Sequence, residues 1–466
     1  MMSPYFVTLL WSCVLLLIVR WGWRAADWLW MKPRKLERIL RLQGLSGNPY
    51  RFLFGDLREN SRLSKEVKSR PITLSDDPMP RLLSFIHHSV KNYGKDSFTW
   101  FGPTPRVIVS SPQLLKDVFL RMDEFQKPRL PMLVKLLAEG LANLEGDKWA
   151  MHRKIINPAF HVEKLKLMLP AFYSSSSEMI SRWEKLVSSG EGQCEIDVWP
   201  ELQNLTRDVI SRTAFGSSFQ QGRRIFELQN ELVELVMKTM TSIFIPGWRF
   251  LPTKVNQRMK SIDREVQKLL RDMIHTREKA MKAGEAPTDD LLGLLLESNM
   301  KQIQNHDSKN KMGMSIQDVI EECKLFYFAG QETTSVLLVW TMVLLGAYPE
   351  WQERAREEVL KVFGRNKPDF DQLNHLKIVT MILYEGLNMI RASQRYEVSN
   401  PGNGNVAIAG AVGIRMAPVN LRWGSPQKQE TILSAYDFED LKGRSRLFKE
   451  AMSKLIDLTA AALSLT

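Results

Sequence analysis

The chain has 466 residues, 44% of them hydrophobic, which suffices for a large core and excludes a disordered polypeptide. The formal net charge of +12 suits a nucleic acid, a membrane surface or an acidic protein as partner, but no nucleic-acid motif occurs, so we expect no nucleic-acid partner. The three cysteines, Cys13, Cys194 and Cys323, lack the paired spacing of a zinc site or a disulfide framework, which indicates a reducing, cytosol-facing compartment.

The N-terminal segment, residues 1–30, is predicted to anchor the protein in a membrane. Residues 4–19 read PYFVTLLWSCVLLLIV, and the tryptophans that follow suit a membrane interface. The basic residues after this run place the body in the cytosol by the positive-inside rule: Lys32, Arg34, Lys35, Arg38 and Arg41. We therefore expect a single-pass anchor in the endoplasmic reticulum membrane. The alternative is a cleaved signal peptide, although the usual basic residues before the apolar run are missing.

The body is predicted to be mainly α-helical with a small β region. Most windows between Met79 and Arg277 carry apolar residues at helical spacing, broken by Gly, Pro or Ser. Residues 98–110 alternate and turn like a β-hairpin. The polar stretch 301–311, KQIQNHDSKNK, indicates a surface loop.

The longest predicted helix starts after Ser315, with Asp318 three residues on as in a capping box, and ends before Pro349. Its second half is apolar enough to suggest a membrane span, but the run is short and flanked by charges, so we interpret it as a buried central helix. Residues 329–334, AGQETT, place a glycine and a carboxylate in its middle, which costs stability in a helix made for a core. A kink with a solvated turn is the ordinary explanation.

Four segments resemble motifs of the cytochrome P450 family, in the family's order. Residues 329–334 are similar to its oxygen-activation motif, and residues 149–153, WAMHR, resemble its Trp-x-x-x-Arg helix. Residues 348–358 resemble the helix after the central one, and residues 373–385 the approach to the Glu-x-x-Arg helix. Ordered sets of motifs rarely arise by chance. The resemblance covers residues 1–385 and is strongest to the plant subgroup that includes secologanin synthase.

The resemblance implies a haem cofactor and assigns roles to particular residues. It implies that Trp149 and Arg153 hydrogen-bond a haem propionate. It implies oxygen activation by one segment of the central helix, where Glu332 and Thr333 relay protons, Gly330 leaves room for dioxygen, and Ala329 and Thr334 are neighbours. For Trp149 and Arg153 alone, an amphipathic helix that faces water remains an alternative.

The resemblance ends at Glu385. The family carries an arginine three residues later, on the same helix face, but residue 388 is Asn. The family's haem loop, Phe-x-x-Gly-x-Arg-x-Cys-x-Gly, is also missing, since no cysteine follows Cys323. We therefore predict that the thiolate ligand of the iron, which favours O–O cleavage, is absent and that no other metal is bound. Cys323 is interpreted as a core residue.

Three parts are predicted from these patterns: an anchor at 1–30, a cytochrome P450-like body at 31–385 that lacks its haem-loop end, and an unrelated tail at 386–466. A changed splice or a gene-model error would explain the tail. It contains a glycine pattern at 402–407 that fits a dinucleotide fingerprint in letters only, because no convincing strand precedes it. The fold expected is thus a truncated cytochrome P450 fold with an N-terminal transmembrane helix.

The resemblance implies a membrane-bound haem-thiolate monooxygenase that oxidises hydrophobic, terpenoid-like small molecules with O2. Electrons would come from NADPH through NADPH-cytochrome P450 reductase. The missing cysteine and arginine imply that the chain is inactive in this form. One alternative is a non-catalytic membrane-anchored protein that acts through protein partners, and another is a chain that does not fold stably.

Overall fold

The structure is a computed structural model that describes residues 4–69, 80, 83–109, 111–121, 124–127, 135–189, 196–217, 219–240, 251–285, 290–304, 313–364, 366–391 and 397–398. The chain divides into two compact units. Of the described residues, those within 1–129, 236–252 and 392–412 form the first unit, and those within 130–235 and 253–391 form the second.

The first unit combines helices with a small sheet. Its helices are α1 (Pro4–Ala26), a π-helical turn (Asp27–Met31), α2 (Lys32–Leu42), α3 (Leu57–Lys68), α4 (Ser84–Tyr93) and α5 (Pro112–Leu120). Its strands are β1 (Ser46–Gly47), β2 (Ser97–Phe101), β3 (Thr104–Ile108) and β4 (Glu397–Val398), paired in that order. Strands β2 and β3 form the antiparallel hairpin that the sequence predicts.

The core of this unit lies where α2 meets the sheet. Leu40, Tyr50, Phe98 and Trp100 form one buried cluster. The hydroxyl of Tyr50 donates a hydrogen bond to the carbonyl oxygen of Leu29 in the π-helical turn, at 2.7 Å. The end of the predicted anchor segment is therefore held against the sheet.

The N-terminal residues from Pro4 form helix α1, which continues through the π-helical turn into α2. Within the described residues, one helix is long and apolar enough to cross a membrane, and it is Ile316–Ala347 rather than α1. Half of its most apolar stretch is buried inside the protein. This burial agrees with the interpretation of that helix as a core element. The membrane role of α1 stays a prediction.

The second unit is helical throughout its described part. It contains two short 3-10 helices at Leu141–Asn143 and Asn157–Phe160. Its α-helices are α6 (Gly146–Ile156), α7 (Val162–Ser189), α8 (Val198–Phe215), α9 (Phe219–Met240), α10 (Lys254–Lys282), α11 (Leu291–Gln304), α12 (Ile316–Ala347), α13 (Pro349–Phe363), α14 (Phe370–Leu373) and α15 (Lys377–Arg391), of which the end of α9, from Val236, is assigned to the first unit.

Helix α12 is the centre of this unit and packs mainly against α8 and α15. The predicted capping box is present: the Ser315 hydroxyl accepts from the amide of Asp318, and the Asp318 carboxylate accepts from the amide of Ser315. Pro349 starts α13 directly after Tyr348, so α12 ends where the sequence predicts. Most side chains from Val319 to Gln331 are buried, whereas the second half alternates between buried and half-buried positions.

Two predicted segments differ from the structure or lie outside it. The loop expected at 301–311 is wrong at its start, because α11 continues to Gln304, and the rest lies outside the described residues. Residues 301–304 are mostly polar but still helical, so the change to polar sequence at Lys301 does not mark the end of α11. Helix α15 also continues to Arg391, across the predicted boundary at 385. Most of the predicted tail lies outside the described residues.

Candidate functional site

The predicted oxygen-activation segment lies on α12 at the border between core and surface. Ala329 and Gly330 are buried, Glu332 and Thr334 are half-buried, and Thr333 is exposed. The Thr333 hydroxyl donates to the carbonyl oxygen of Ala329 at 2.8 Å. In this structure the hydroxyl is therefore bonded to its own helix, one turn back.

Gly330 permits a close approach of α8 to α12. A Cβ atom added at Gly330 would lie 2.7 Å from Cγ1 and 2.8 Å from Cδ1 of Ile210. Contacts this short are repulsive, so no larger side chain fits without movement. On this side the glycine makes room for a neighbouring helix, which the sequence interpretation did not anticipate.

The polar groups around Gln331 connect α12 to two other helices. Gln331 is buried, its side-chain amide donates to Oδ1 of Asn230 at 3.4 Å, and its backbone carbonyl accepts from the Thr206 hydroxyl at 3.2 Å. Sequence reasoning missed these residues, because polar side chains on separate helices show no common spacing. They hold the 329–334 segment in place from the side of α8 and α9.

Arg207 supplies positive charge near the carboxylate of Glu332. Burial lowers the pKa of the Arg207 guanidinium, and the carboxylates of Glu332 and Glu227 act in the opposite direction. The guanidinium also lies over the ring of Phe226, with its Cζ atom 5.6 Å from the ring centroid. Glu332 thus faces a cation from α8.

Trp149 and Arg153 lie four residues apart on α6, so they share one face of the helix. Both side chains are half-buried. Within the part of the chain that the structure describes, neither side chain forms a hydrogen bond or an ion pair with a protein group. An indole N–H and a guanidinium on one face are donors that suit a carboxylate.

A buried histidine and a buried glutamate connect α6 to α12, and sequence reasoning did not find them. Nδ1 of His152 lies 2.6 Å from Oε1 of Glu322. One turn earlier on each helix, Nζ of Lys148 lies 2.6 Å from Oδ1 of Asp318. His152 stands inside the WAMHR segment, so a polar residue on the buried side of that helix was the available signal.

Glu385 is exposed near the middle of α15, and the side chain of Asn388 lies outside the described set. The start of α15 is held by Glu358 of α13. The two oxygens of Glu358 accept hydrogen bonds from the amides of Lys377, Ile378 and Val379 at 2.7 to 3.0 Å. A carboxylate at a helix N-terminus satisfies free amides and complements the helix dipole. This contact sets the position of α15.

The residues present fit the carboxylate edge of a haem but not its iron. Trp149 and Arg153 are suitable donors for a propionate. Cys323 is fully buried, and burial raises the pKa of its thiol, which disfavours the thiolate that iron requires. Cys13 is exposed on α1, and Cys194 lies outside the described residues. No group of three or more metal-binding side chains occurs among the described residues.

Two plant proteins are similar to this chain over most of its length. The chain is 59% identical over 369 residues to cytochrome P450 72A397 of Kalopanax septemlobus, covering 79% of this chain and 71% of that protein. It is 52% identical over 381 residues to secologanin synthase 1 of Catharanthus roseus, covering 81% and 72%.

A solved structure supports the fold. The retinoic acid bound cyanobacterial CYP120A1 matches with a TM-score of 0.52 and 21% identity, covering 66% of this chain and 65% of that chain. The family model named Cytochrome P450 matches residues 78–396. This match begins after the predicted anchor and extends past Glu385. The family predicted from the four ordered motifs is confirmed, and the chain belongs to the cytochrome P450 family.

Proposed function

We propose that this chain has the body of a monooxygenase that oxidises hydrophobic, terpenoid-like small molecules with O2. The relatives that support this are plant members of the family at 52% to 59% identity, one of them named secologanin synthase 1. The proposal includes electron delivery from NADPH by NADPH-cytochrome P450 reductase. It also includes an endoplasmic reticulum membrane location, with α1 as the anchor and the body in the cytosol.

We also propose that the chain is inactive in this form, and one observation carries this. No cysteine follows Cys323 in the sequence, and Cys323 itself is buried with a raised thiol pKa. The family's thiolate ligand therefore has no suitable source among the described residues. The proton-relay role of Glu332 and Thr333 remains a prediction for a chain that carries the ligand.

The second candidate is a non-catalytic, membrane-anchored protein that acts through protein partners. This candidate is favoured because the chain retains the helical body but lacks the cysteine that would ligate the iron. Helix α12 is capped at Ser315 and buried along its first half, so the chain retains the core helix of the body although the iron ligand is missing. The two candidates differ in whether the chain holds haem through a thiolate.

The deciding experiment is a reduced carbon monoxide difference spectrum of the full chain expressed in microsomes, with haem quantified per protein. We expect protein in the membrane without the red-shifted Soret band of thiolate-ligated haem. A matched enzyme from the same plant subgroup serves as the positive control.

If such a band appears, the variants Cys323→Ser and Cys194→Ser identify the ligand. Loss of the band in either variant would restore the enzyme and contradict the proposed inactivity. A protease-resistant body without the band would support the non-catalytic candidate, since resistance reports a folded domain.

A further inference from the structure

The pair formed by His152 and Glu322 is one of the most deeply buried polar contacts in the described chain. The side chain of His152 is 1% exposed and that of Glu322 is 0% exposed. Their sequence separation is 170 residues, and Nδ1 of His152 lies 2.6 Å from Oε1 of Glu322, within hydrogen-bond distance. Such a short contact is typical of a charge-assisted hydrogen bond.

The contact between His152 and Glu322 is not expected to contribute much to the stability of the folded state. Among the residues that the structure describes, Nε2 of His152 and Oε2 of Glu322 are buried and have no hydrogen-bond partner. Nε2 approaches Oδ1 of Asp318 only to 3.9 Å, which is too far for a hydrogen bond. Buried polar atoms without partners cost free energy, and apolar side chains of similar size are often equally or more stabilising. We therefore expect the pair to have a role other than stabilising the fold.

The position of His152 on α6 indicates what this role is. Lys148 and His152 lie one turn apart and both contact α12, through Asp318 and Glu322. Trp149 and Arg153 each follow by one residue, so their face is rotated by about 100° from the contacting face. Any rotation of α6 about its axis moves both faces together. The two polar contacts thus determine where Trp149 and Arg153 point.

Packing around Glu322 leaves little freedom for other arrangements. A Cβ atom added at Gly140 would lie 2.7 Å from Oε2 of Glu322. The amide of the preceding residue, Glu139, donates to the carboxylate of Glu321 at 3.3 Å. The carboxylate of Glu322 is thus enclosed between α6, α12 and the segment before Leu141.

We infer that His152 and Glu322 are positioning residues that orient the Trp149 and Arg153 face of α6 for a ligand that carries carboxylates. The inference rests on the proposed function, in which this face receives the carboxylate edge of a porphyrin. It does not depend on the iron ligand. Neither His152 nor Glu322 touches the ligand in this arrangement.

The test uses protoporphyrin IX, which has two propionates but no metal, and its dimethyl ester, which has no carboxylate. Binding of each to the full chain in lipid nanodiscs is measured by porphyrin fluorescence. We expect the wild type to bind the diacid about tenfold tighter than the diester, as one charge-assisted hydrogen bond allows. The variant Arg153→Gln should remove this preference and is the positive control.

The decisive variant combines His152→Leu with Glu322→Met. We expect it to lose most of the preference for the diacid while it binds the diester as before, with an unchanged or raised unfolding temperature. If this double variant does not fold, His152→Gln combined with Glu322→Gln is used, because two amides preserve the volume.

An unchanged preference in a folded double variant would show a merely structural pair and overturn the inference. A wild type that does not distinguish the two porphyrins would overturn it as well. Absence of the carbon monoxide band leaves the inference unaffected, because protoporphyrin IX contains no iron. Failure of the proposed function and failure of the inference are thus separable.

Discussion

Gly330 shows how one residue can serve packing within a segment that resembles a catalytic motif. We expect Gly330→Ala to destabilise the protein by about 1–3 kcal/mol, because its Cβ atom would meet Ile210. The measurement is chemical denaturation of the wild type, Gly330→Ala, Ile210→Ala and the double variant. The double variant should be more stable than the sum of the single effects predicts, since truncation of Ile210 removes the clash. Additive effects would contradict the contact.

Asp318 combines a capping role with an ion pair and predicts a pH dependence. Burial opposes its ionisation, but hydrogen bonds from Lys148 and Ser315 outweigh this and hold the pKa of the carboxyl below its usual value. A depressed pKa stabilises the folded state above the unfolded pKa of about 3.9, and this contribution is lost as the pH falls through the folded pKa.

We expect Asp318→Asn to cost about 1 kcal/mol at pH 7, a modest figure because the pair is partly exposed. The difference from the wild type should shrink as the pH falls below about 4, because the unfolded chain then protonates Asp318 while the folded state still resists protonation. The free energy of unfolding, measured from pH 7 to pH 3, tests this. A difference that stays constant over this range would exclude an ionised Asp318 as the cause.

At the scale of elements, helix α15 starts at a carboxylate that belongs to another helix. We expect Glu358→Gln to destabilise the protein by about 1–2 kcal/mol, since the three amides at the start of α15 lose a charged acceptor. Amide hydrogen exchange at residues 377–379 should accelerate. Glu357→Gln is the matched control, because this neighbouring side chain is exposed, and it should change neither quantity. Equal effects of both substitutions would refute the cap.

At the scale of the whole molecule, the anchor prediction concerns topology. The sequon Asn204-Leu205-Thr206 lies on α8, in the body that we place in the cytosol. We expect no glycan at Asn204 in microsomes and a glycan on a sequon appended before Met1, because only the lumenal side glycosylates. Gel mobility before and after endoglycosidase treatment reports both. If a sequon appended after Thr466 is glycosylated and the N-terminal one is not, the body lies in the lumen and the predicted topology is wrong.

Local features of this protein could be predicted from the sequence because neighbouring residues produce them. The capping box at Ser315 depends on residues three apart, and the hairpin of β2 and β3 depends on alternation and a turn. The end of α12 follows from Pro349. The family followed from four short segments whose order in the chain is itself a property of the sequence.

The sequence by itself therefore determined the fold class, the family and the absence of any cysteine after Cys323. Only the tertiary structure decided which side chains meet across the helices. The approach of Ile210 to Gly330, the cap that Glu358 provides and the contact of His152 with Glu322 were not predicted. The physical reason is that helix packing brings together residues far apart in the chain, and the pattern of each helix does not show which neighbour it faces.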